Sequence, residues 1–227
     1  MVRVLALVEG PTERNFGQKL LAVHLAHHGI EFHPRVIGKP GRKGGVGAWE
    51  RAKRELLGLM RQEPRSVCTT MFDLYALPSS WPGREEAIKR GLKHLDAITF
   101  VEMEIAAALA AECAGAERVA RFIPYLSLHE YEALLFSDPM ALASVTQGAD
   151  DARRFREIVA QCGECEKIDD APATSPSKRI LNIARSYVKT VDGITAAERI
   201  GISAMRSQCP HFGSWLSQLE SCGTISG

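Results

Sequence analysis

The first residues of the chain constrain its fold more than any other segment. Residues Arg3–Val8 are rich in Val and Leu, which is typical of a strand buried on both faces of a parallel sheet. The strand ends abruptly, because Gly10 permits a tight turn, Pro11 suits the first turn of a helix and Thr12 can cap that helix. The sequence therefore predicts a strand, a turn and a helix in direct succession.

An acidic residue stands at the end of this predicted strand. Glu9 follows Val8 directly, and ligands of open α/β sheets bind at the carboxyl edge of the strands. Glu13 comes four residues later and lies one helical turn away on the same side. Both carboxylates are therefore available to a metal or a substrate. The alternative is that they only stabilise the helix dipole, as acids in a first helical turn often do.

Two further predicted strands also end in acidic residues. Val67–Phe72 precedes Asp73, and Arg121–Leu128 precedes His129 and Glu130. If the strands are parallel neighbours, these carboxylates meet at one edge, where they repel one another unless one is protonated or a cation lies between them. Mg²⁺ prefers oxygen ligands and would remove that conflict.

Three side chains near the third strand end have two possible roles each. His129 can serve as a ligand or base, or as a histidine that only forms structural hydrogen bonds. Glu132 and Asp138 can support the acidic cluster, or they can cap helices and pair locally. The sequence leaves these alternatives open.

Two basic segments predict contacts with phosphate groups. The glycine-rich stretch Gly38–Gly47 does not have the spacing of a P-loop, but flexible backbone amides and cations near a sheet edge suit phosphate oxygens; a surface loop is the other reading. A helix predicted to open at Ser177 begins with two cations, which oppose the helix dipole and so suggest a bound anion. The basic residues are Lys39, Arg42, Lys43, Lys178 and Arg179.

Composition restricts the class of protein. The net charge of +1 gives no overall basic field, although a local basic groove remains possible. No apolar segment is long enough to span a bilayer and no signal peptide is recognisable, so we expect a cytoplasmic protein without membrane contact. The length of 227 residues fits an α/β core at residues 1–138 with a helical C-terminal extension at residues 139–227 packed on it.

Several short motifs, taken in order, resemble one protein family. They resemble prokaryotic Toprim-like proteins, which are related to the Toprim domains of OLD (overcoming lysogenization defect) nucleases, topoisomerases and primases. Members of this family are often encoded beside an ABC-type or SMC-like ATPase in apparent defence cassettes. The motifs are Val8–Glu13, MFDLY at Met71–Tyr75, Phe122–Asp138, SPSKR at Ser175–Arg179 and CPHFGSW at Cys209–Trp215.

The resemblance implies a Toprim-like (Rossmann-like) α/β fold, with a mostly parallel sheet flanked by helices and a helical C-terminal part. It also implies a site for Mg²⁺ (or Mn²⁺), held by a glutamate after the first strand and an Asp-x-Asp pair after a later one. Glu9 matches the glutamate and Asp73 the first aspartate, but Tyr75 stands at the position of the second. Glu130, and after it Glu132, is our candidate for the missing carboxylate.

Two more residues correspond to OLD-type nucleases. Glu13 matches an acidic residue that follows the first glutamate by four positions, and Lys178 is a plausible counterpart of a lysine that stabilises developing charge. The implied catalytic set is Glu9, Asp73, Glu130 and Lys178.

The resemblance implies a Mg²⁺-dependent nuclease that cleaves DNA or RNA as the effector of an anti-phage defence system, with an ATPase partner and possibly as a homo-oligomer. The alternative is a catalytically degenerate Toprim-like binding subunit that docks on an ABC-type ATPase.

Overall fold

The computed structural model describes residues 1–38, 46–113, 121–168 and 174–224. The strands are β1 (Val2–Val8), β2 (Ile30–Val36), β3 (Val67–Asp73), β4 (Phe122–Ile123) and β5 (Leu126–Ser127). The α-helices are α1 (Pro11–Phe16), α2 (Ala22–Ala26), α3 (Trp49–Gln62), α4 (Arg84–Lys89), α5 (His94–Glu112), α6 (Pro139–Thr146), α7 (Asp151–Cys162), α8 (Pro176–Ile183), α9 (Ile194–Gln208) and α10 (Pro210–Thr224). Further helical turns are of 3₁₀ type at Leu74–Ala76, Tyr131–Ser137 and Cys165–Lys167, and of π type at Gly17–Leu21 and Lys189–Gly193.

The five strands form one sheet in the order β2-β1-β3-β4, and β5 also pairs with β3. Every strand pair in the described part of the chain is parallel. Helices pack on the sheet, as parallel strands require when both faces must be buried. The predicted fold class, a mostly parallel sheet flanked by helices, is therefore confirmed.

The central strand β1 separates two hydrophobic cores because its side chains alternate between the two faces of the sheet. Val4, Ala6 and Val8 point into a core that contains Leu21, from the π-helical turn Gly17–Leu21, and Trp215 from α10. Leu5 and Leu7, on the other face, belong to a second core that contains Leu56 of α3 and Val101 of α5. Burial on both faces explains why the first segment of the sequence is almost continuously apolar.

The register of the sheet aligns the carboxyl ends of three strands. Val8 of β1 lies opposite Met71 of β3, and Asp73 of β3 lies opposite Ser127 of β5. The residues that follow these strands therefore emerge at one edge of the sheet, which is the arrangement that the acidic strand ends predicted.

The predicted single strand Arg121–Leu128 is divided into β4 and β5. Pro124 lies at the break and has no backbone N–H to donate to the sheet. The Thr70 hydroxyl replaces the missing contacts, because it accepts from the Tyr125 backbone N–H and donates to the Tyr125 carbonyl, both at 3.0 Å. The edge strand thus stays attached to β3 across the interruption.

Helices of the C-terminal part contribute to the first core through Phe155, Ile180, Met205 and Trp215. The division of the chain into residues 1–138 and 139–227 stays a prediction. No helix in the described ranges is long and apolar enough to cross a membrane. All six cysteines are free thiols.

Candidate metal centre

An acidic cleft lies at the carboxyl edge of the sheet. It has a volume of about 540 Å³, including the solvent that enters its open side. Five carboxylates and one ammonium group line it in the described part of the chain. The lining residues are Glu9, Gly10, Pro11, Thr12, Glu13, Asp73, Glu130, Glu132 and Lys189.

The turn between β1 and α1 places the first two carboxylates. The backbone N–H of Glu9 donates to the Met71 carbonyl at 3.3 Å, which ties the end of β1 to β3. Glu13 folds back toward Gly10, where a Cβ atom would lie only 3.1 Å from the Glu13 Oε2 atom. Glycine at position 10 therefore allows this carboxylate to lie close to the turn.

The environment of Glu9 is the strongest indication of a cation site in the cleft. Its Oε2 atom is buried and has no hydrogen-bond partner among the described residues. Burial raises the pKa of Glu9, and the negative charge of Glu13 raises it further. Burying an unpaired carboxylate oxygen is costly unless something compensates it, and a bound cation would do so.

Asp73 and Glu13 are subject to the same effect. Burial raises the pKa of Asp73 well above its usual value, and the charges of Glu9 and Glu13 add to the shift. Burial also raises the pKa of Glu13, although backbone N–H groups of Glu13 and Gly10 oppose the change. The three acids thus repel one another in a site of low solvation.

Glu130 is the carboxylate of the cleft that is best compensated. Its Oε2 atom accepts from the Ser177 backbone N–H at 2.9 Å, and its Oε1 atom accepts from Lys189 Nζ at 3.0 Å. Burial alone would raise the pKa of Glu130, but the contacts with Ser177 and Lys189 outweigh it, so the pKa is lowered. Glu130 is therefore ionised in the cleft without a metal.

Glu132 is almost fully buried, with 2% of its side chain exposed, and its Oε1 atom lies 3.3 Å from Lys189 Nζ. Burial raises its pKa to about 7, and Lys189 limits the rise. Burial would lower the pKa of Lys189, but the charges of Glu132 and Glu130 raise it overall. Lys189 therefore remains protonated and bridges two acids at the same time.

The donor set fits a divalent cation with oxygen ligands. Mg²⁺ commonly uses only one or two carboxylates and keeps several water molecules. The structure brings no three of the described carboxylates of the cleft within 4.8 Å of one another by their ligand atoms, so a cation here would use few direct protein ligands. Glu9 and Asp73 are the best candidates for direct ligands, and Glu13 and Glu130 line the same cleft.

Tyr75 does not line the cleft. Its ring is 54% exposed and stacks on His129, with ring centroids 4.8 Å apart. The guanidinium carbon of Arg84 lies 5.5 Å from the centre of the same ring. The position that the Toprim resemblance assigns to a second aspartate thus carries an aromatic side chain outside the lining of the cleft. His129 is buried beside Tyr75 and lies outside the lining of the cleft.

The other predicted site residues have different environments. Asp138 caps α6, because its Oδ1 atom accepts from the backbone N–H groups of Met140 and Ala141. Lys178 is exposed and does not line the cleft. Arg179 donates from Nε to the Thr174 carbonyl at 2.8 Å. Lys39, Arg42 and Lys43, the other predicted phosphate contacts, lie outside the described residues.

Sequence reasoning missed Lys189 and the backbone N–H of Ser177. The residues around Lys189 do not distinguish it from other lysines in the sequence. Lys189 enters the cleft only because the helical C-terminal part folds back over the sheet edge. The phosphate contact predicted for the two cations at the start of α8 stays a prediction. The backbone N–H of Ser177 at this helix start donates to Glu130 of the same chain, not to an external anion.

Solved structures with an overall similarity to this chain come from two bacteria. The C-terminal region of the Burkholderia pseudomallei OLD protein is 13% identical to this chain, with 98% of this chain and 99% of that chain covered and a TM-score of 0.48. The C-terminal region of the Xanthomonas campestris pv. campestris OLD protein is 15% identical, with coverage of 99% and 95% and a TM-score of 0.49.

Comparison with curated proteins gave no match. A family model matches residues 8–220, which include the strand ends, the cleft and most of the C-terminal helices. The chain therefore belongs to the family described as "Domain of unknown function (DUF4276)".

Proposed function

We propose that this protein is a divalent-metal-dependent nuclease of Toprim type, which hydrolyses phosphodiester bonds of DNA or RNA. One observation carries the proposal. Glu9, Asp73 and Glu130 lie at or just beyond the carboxyl ends of three different strands and line one cleft, where a carboxylate oxygen of Glu9 is buried without a hydrogen-bond partner among the described residues. Such a cluster suits a cation that bridges the protein and a phosphate group.

The cation, Mg²⁺ or Mn²⁺, would supply a Lewis acid for the phosphate and a water molecule of lowered pKa. Glu9 and Asp73 would hold it at the edge of the sheet. Lys189 keeps a positive charge beside the acids and can neutralise part of the charge of an incoming phosphate. Glu132, with a pKa of about 7, exists in both protonation states near neutral pH and can accept or release a proton.

The proposed substrate is nucleic acid recognised through its backbone. In the described ranges, the cleft lining contains charged side chains and one turn, so it offers contacts for phosphate groups but no aromatic ring for a base. Phosphate contacts position a strand without reading its sequence. Specificity would then come from a partner, for which we propose an ABC-type or SMC-like ATPase in an anti-phage defence system, with homo-oligomer formation as a further proposal.

Cleavage assays on matched variants test the proposal. Purified protein should nick single-stranded or duplex DNA or RNA in the presence of Mg²⁺ or Mn²⁺, alone or with its ATPase, and chelation should stop the reaction. Glu9→Gln and Asp73→Asn should each reduce the rate by at least about a hundredfold. Glu85→Gln is the control, because Glu85 is exposed on α4 and pairs only with its neighbour Lys89. Cleavage by Glu9→Gln at the rate of the unmodified protein would refute the assignment.

One observation favours a second candidate function. Because Tyr75 replaces the second carboxylate and Lys189 already neutralises Glu130 and Glu132, the cleft is also compatible with a binding subunit that has lost catalysis. Calorimetry separates the two functions. A nuclease should bind Mg²⁺ or Mn²⁺ at millimolar concentration or below, whereas a degenerate subunit that docks on an ATPase need not bind either ion.

A further inference from the structure

A second group of metal-ligating side chains lies away from the acidic cleft. His24 belongs to α2, His28 follows that helix by two residues, and Glu220 belongs to α10. One ligand atom from each residue lies within 4.8 Å of the other two. The group lies before the start of β2 at Ile30, whereas the acidic cleft lies beyond the carboxyl ends of the strands. The two sites are therefore at opposite edges of the sheet.

The geometry converges on one carboxylate oxygen. Oε1 of Glu220 lies 2.7 Å from Nε2 of His24 and 3.7 Å from Nε2 of His28. The two histidines are four residues apart, and their ring centroids are 5.3 Å apart. Residues at this spacing lie on one face of a helical segment, which is the usual way for two imidazoles to share one metal ion.

A neighbouring arginine fixes the carboxylate in place. Arg206 Nη1 donates to Oε1 of Glu220 at 3.0 Å, Arg206 Nη2 donates to Oε2, and Nη2 also donates to Ser217 at 2.8 Å. Hydrogen bonds of this kind orient the ligands of a metal site. The positive charge of Arg206 also weakens cation binding, so we expect moderate rather than very tight affinity.

The three side chains are accessible to ions from solvent. His24 is 26% exposed, His28 is 36% exposed and Glu220 is 13% exposed at the side chain. Two imidazole nitrogens and one carboxylate oxygen form a ligand set that suits Zn²⁺, Ni²⁺, Cu²⁺ or Co²⁺ far better than Mg²⁺. Ligand chemistry therefore separates this group from the acidic cleft, where the described lining has oxygen ligands and no imidazole.

We propose that His24, His28 and Glu220 bind one divalent transition-metal ion, with Zn²⁺ as the preferred member of this class. The ion links His24 and His28, in and just after α2, to Glu220 of α10, although these residues are far apart in sequence. Binding of the ion replaces the His24–Glu220 hydrogen bond. The site is separate from the acidic cleft and independent of phosphodiester chemistry.

The test is a titration of the whole chain with Zn²⁺ in the presence of excess Mg²⁺, which occupies the acidic cleft. Calorimetry should show one Zn²⁺ per chain. The thermal unfolding midpoint should rise by about 5 °C at a free Zn²⁺ concentration a hundred times the dissociation constant. His24→Ala and His28→Ala should each weaken Zn²⁺ binding by at least about tenfold.

The matched control is His27→Ala, since His27 is exposed on the same segment and does not belong to the group. This variant should bind Zn²⁺ as the unmodified protein does. A second control, Glu9→Gln, should also leave Zn²⁺ binding unchanged, which excludes the acidic cleft as its location. The proposal is overturned if the unmodified protein binds no Zn²⁺ under these conditions, or if His28→Ala binds it equally well.

Discussion

Lys189 holds two carboxylates in place at the edge of the acidic cleft. Its Nζ atom lies 3.0 Å from Glu130 and 3.3 Å from Glu132. Glu132 is buried, so its charge depends on this one ammonium group among the residues that line the cleft. Removing one member of such a group leaves a buried charge without compensation.

We expect Lys189→Met to lower the free energy of unfolding by about 1–2 kcal/mol near pH 8, where Glu132 is largely ionised. The loss should shrink below pH 7, the approximate pKa of Glu132, because protonation removes the uncompensated charge. Urea unfolding at both pH values measures the effect. Lys178→Met is the control and should change stability by less than about 0.5 kcal/mol, because Lys178 is exposed. An equal loss in both variants would contradict the role of Lys189.

Variants of Lys189 and Lys178 also test which of the two lysines assists the proposed phosphodiester cleavage. If the nuclease proposal holds, Lys189→Met should reduce the cleavage rate by about tenfold or more, whereas Lys178→Met should cleave normally. Rates in saturating Mg²⁺ give the comparison. The reverse result would favour Lys178, the lysine that the family resemblance indicates.

As a proposed metal ligand, Glu9 should lower the stability of the metal-free protein, because burial and the charge of Glu13 raise its pKa. We expect Glu9→Gln to raise the free energy of unfolding by about 1 kcal/mol in the presence of a chelator, since it removes a buried charge that other acids repel. The same variant should lose most of the stabilisation that Mg²⁺ gives to the unmodified protein. Chelator-treated and Mg²⁺-loaded samples compared by denaturant unfolding check both parts. Destabilisation of the metal-free protein would argue against electrostatic strain at Glu9.

At the residue scale, the sequence identified acids better than it identified their partners. Glu9, Asp73 and Glu130 could be found because each directly follows a predicted strand, and parallel strands end at a common edge. Lys189 could not be found, because its position depends on how a helical segment far along the chain folds over that edge. The exposure of Tyr75 could not be predicted either, because the sequence does not show the direction of a side chain after a strand.

At the scale of secondary-structure elements, α10 is anchored to the sheet by a polar and aromatic contact. Trp215 donates from Nε1 to the Thr69 hydroxyl at 2.9 Å and stacks on Tyr125 with ring centroids 4.3 Å apart. Near the start of the same helix, His211 Nε2 lies 3.0 Å from Oε1 of Glu102 in α5. That Glu102 atom also accepts from the Leu126 backbone N–H at 2.8 Å.

The contact between His211 and Glu102 should make stability depend on pH. Burial would lower the pKa of His211, but the hydrogen bond and charge of Glu102 raise it above the ordinary value of 6.5. The stabilisation is therefore full below pH 6.5 and is lost as the pH rises through the higher folded-state pKa. His211→Gln should lower the free energy of unfolding, and this loss should be about 1 kcal/mol larger at low pH than at high pH. A difference that does not vary with pH would show that the pair is not ionic.

Element boundaries could be predicted where periodicity was strong. The strand β3 extends only one residue beyond the predicted Val67–Phe72. The break in the edge strand was not predicted. Pro124 signalled it, but the sequence did not show that Thr70 would bridge the gap with its side chain.

At the scale of the whole molecule, protons and metal ions should compete for the acidic cleft. The pKa values of Glu9, Glu13, Asp73 and Glu132 are all raised in the folded chain, chiefly by burial. Their contribution to stability is therefore present below the ordinary values near pH 4 and is lost as the pH rises through the folded-state values, which reach about 7 for Glu132.

We expect Mg²⁺ to raise the thermal unfolding midpoint more at about pH 8 than at about pH 5.5, because the ion replaces protons that are bound at the lower pH. Thermal unfolding with and without saturating Mg²⁺ at both pH values measures this difference. Ca²⁺ should behave similarly, because it also prefers oxygen ligands. Stabilisation of equal size at both pH values would contradict competition with protons in this cleft.

The described lining of the cleft holds five carboxylates and one ammonium group, and this excess of negative charge affects the order in which ligands bind. A polyanion that approaches this edge of the sheet meets a field of its own sign, which slows its arrival and weakens its retention. If the proposed function holds, loading of the cation should therefore precede capture of the nucleic acid, and the metal ion would be the switch that makes the described lining attractive to phosphate. Such a protein would not bind nucleic acid at this cleft when free divalent ions are scarce.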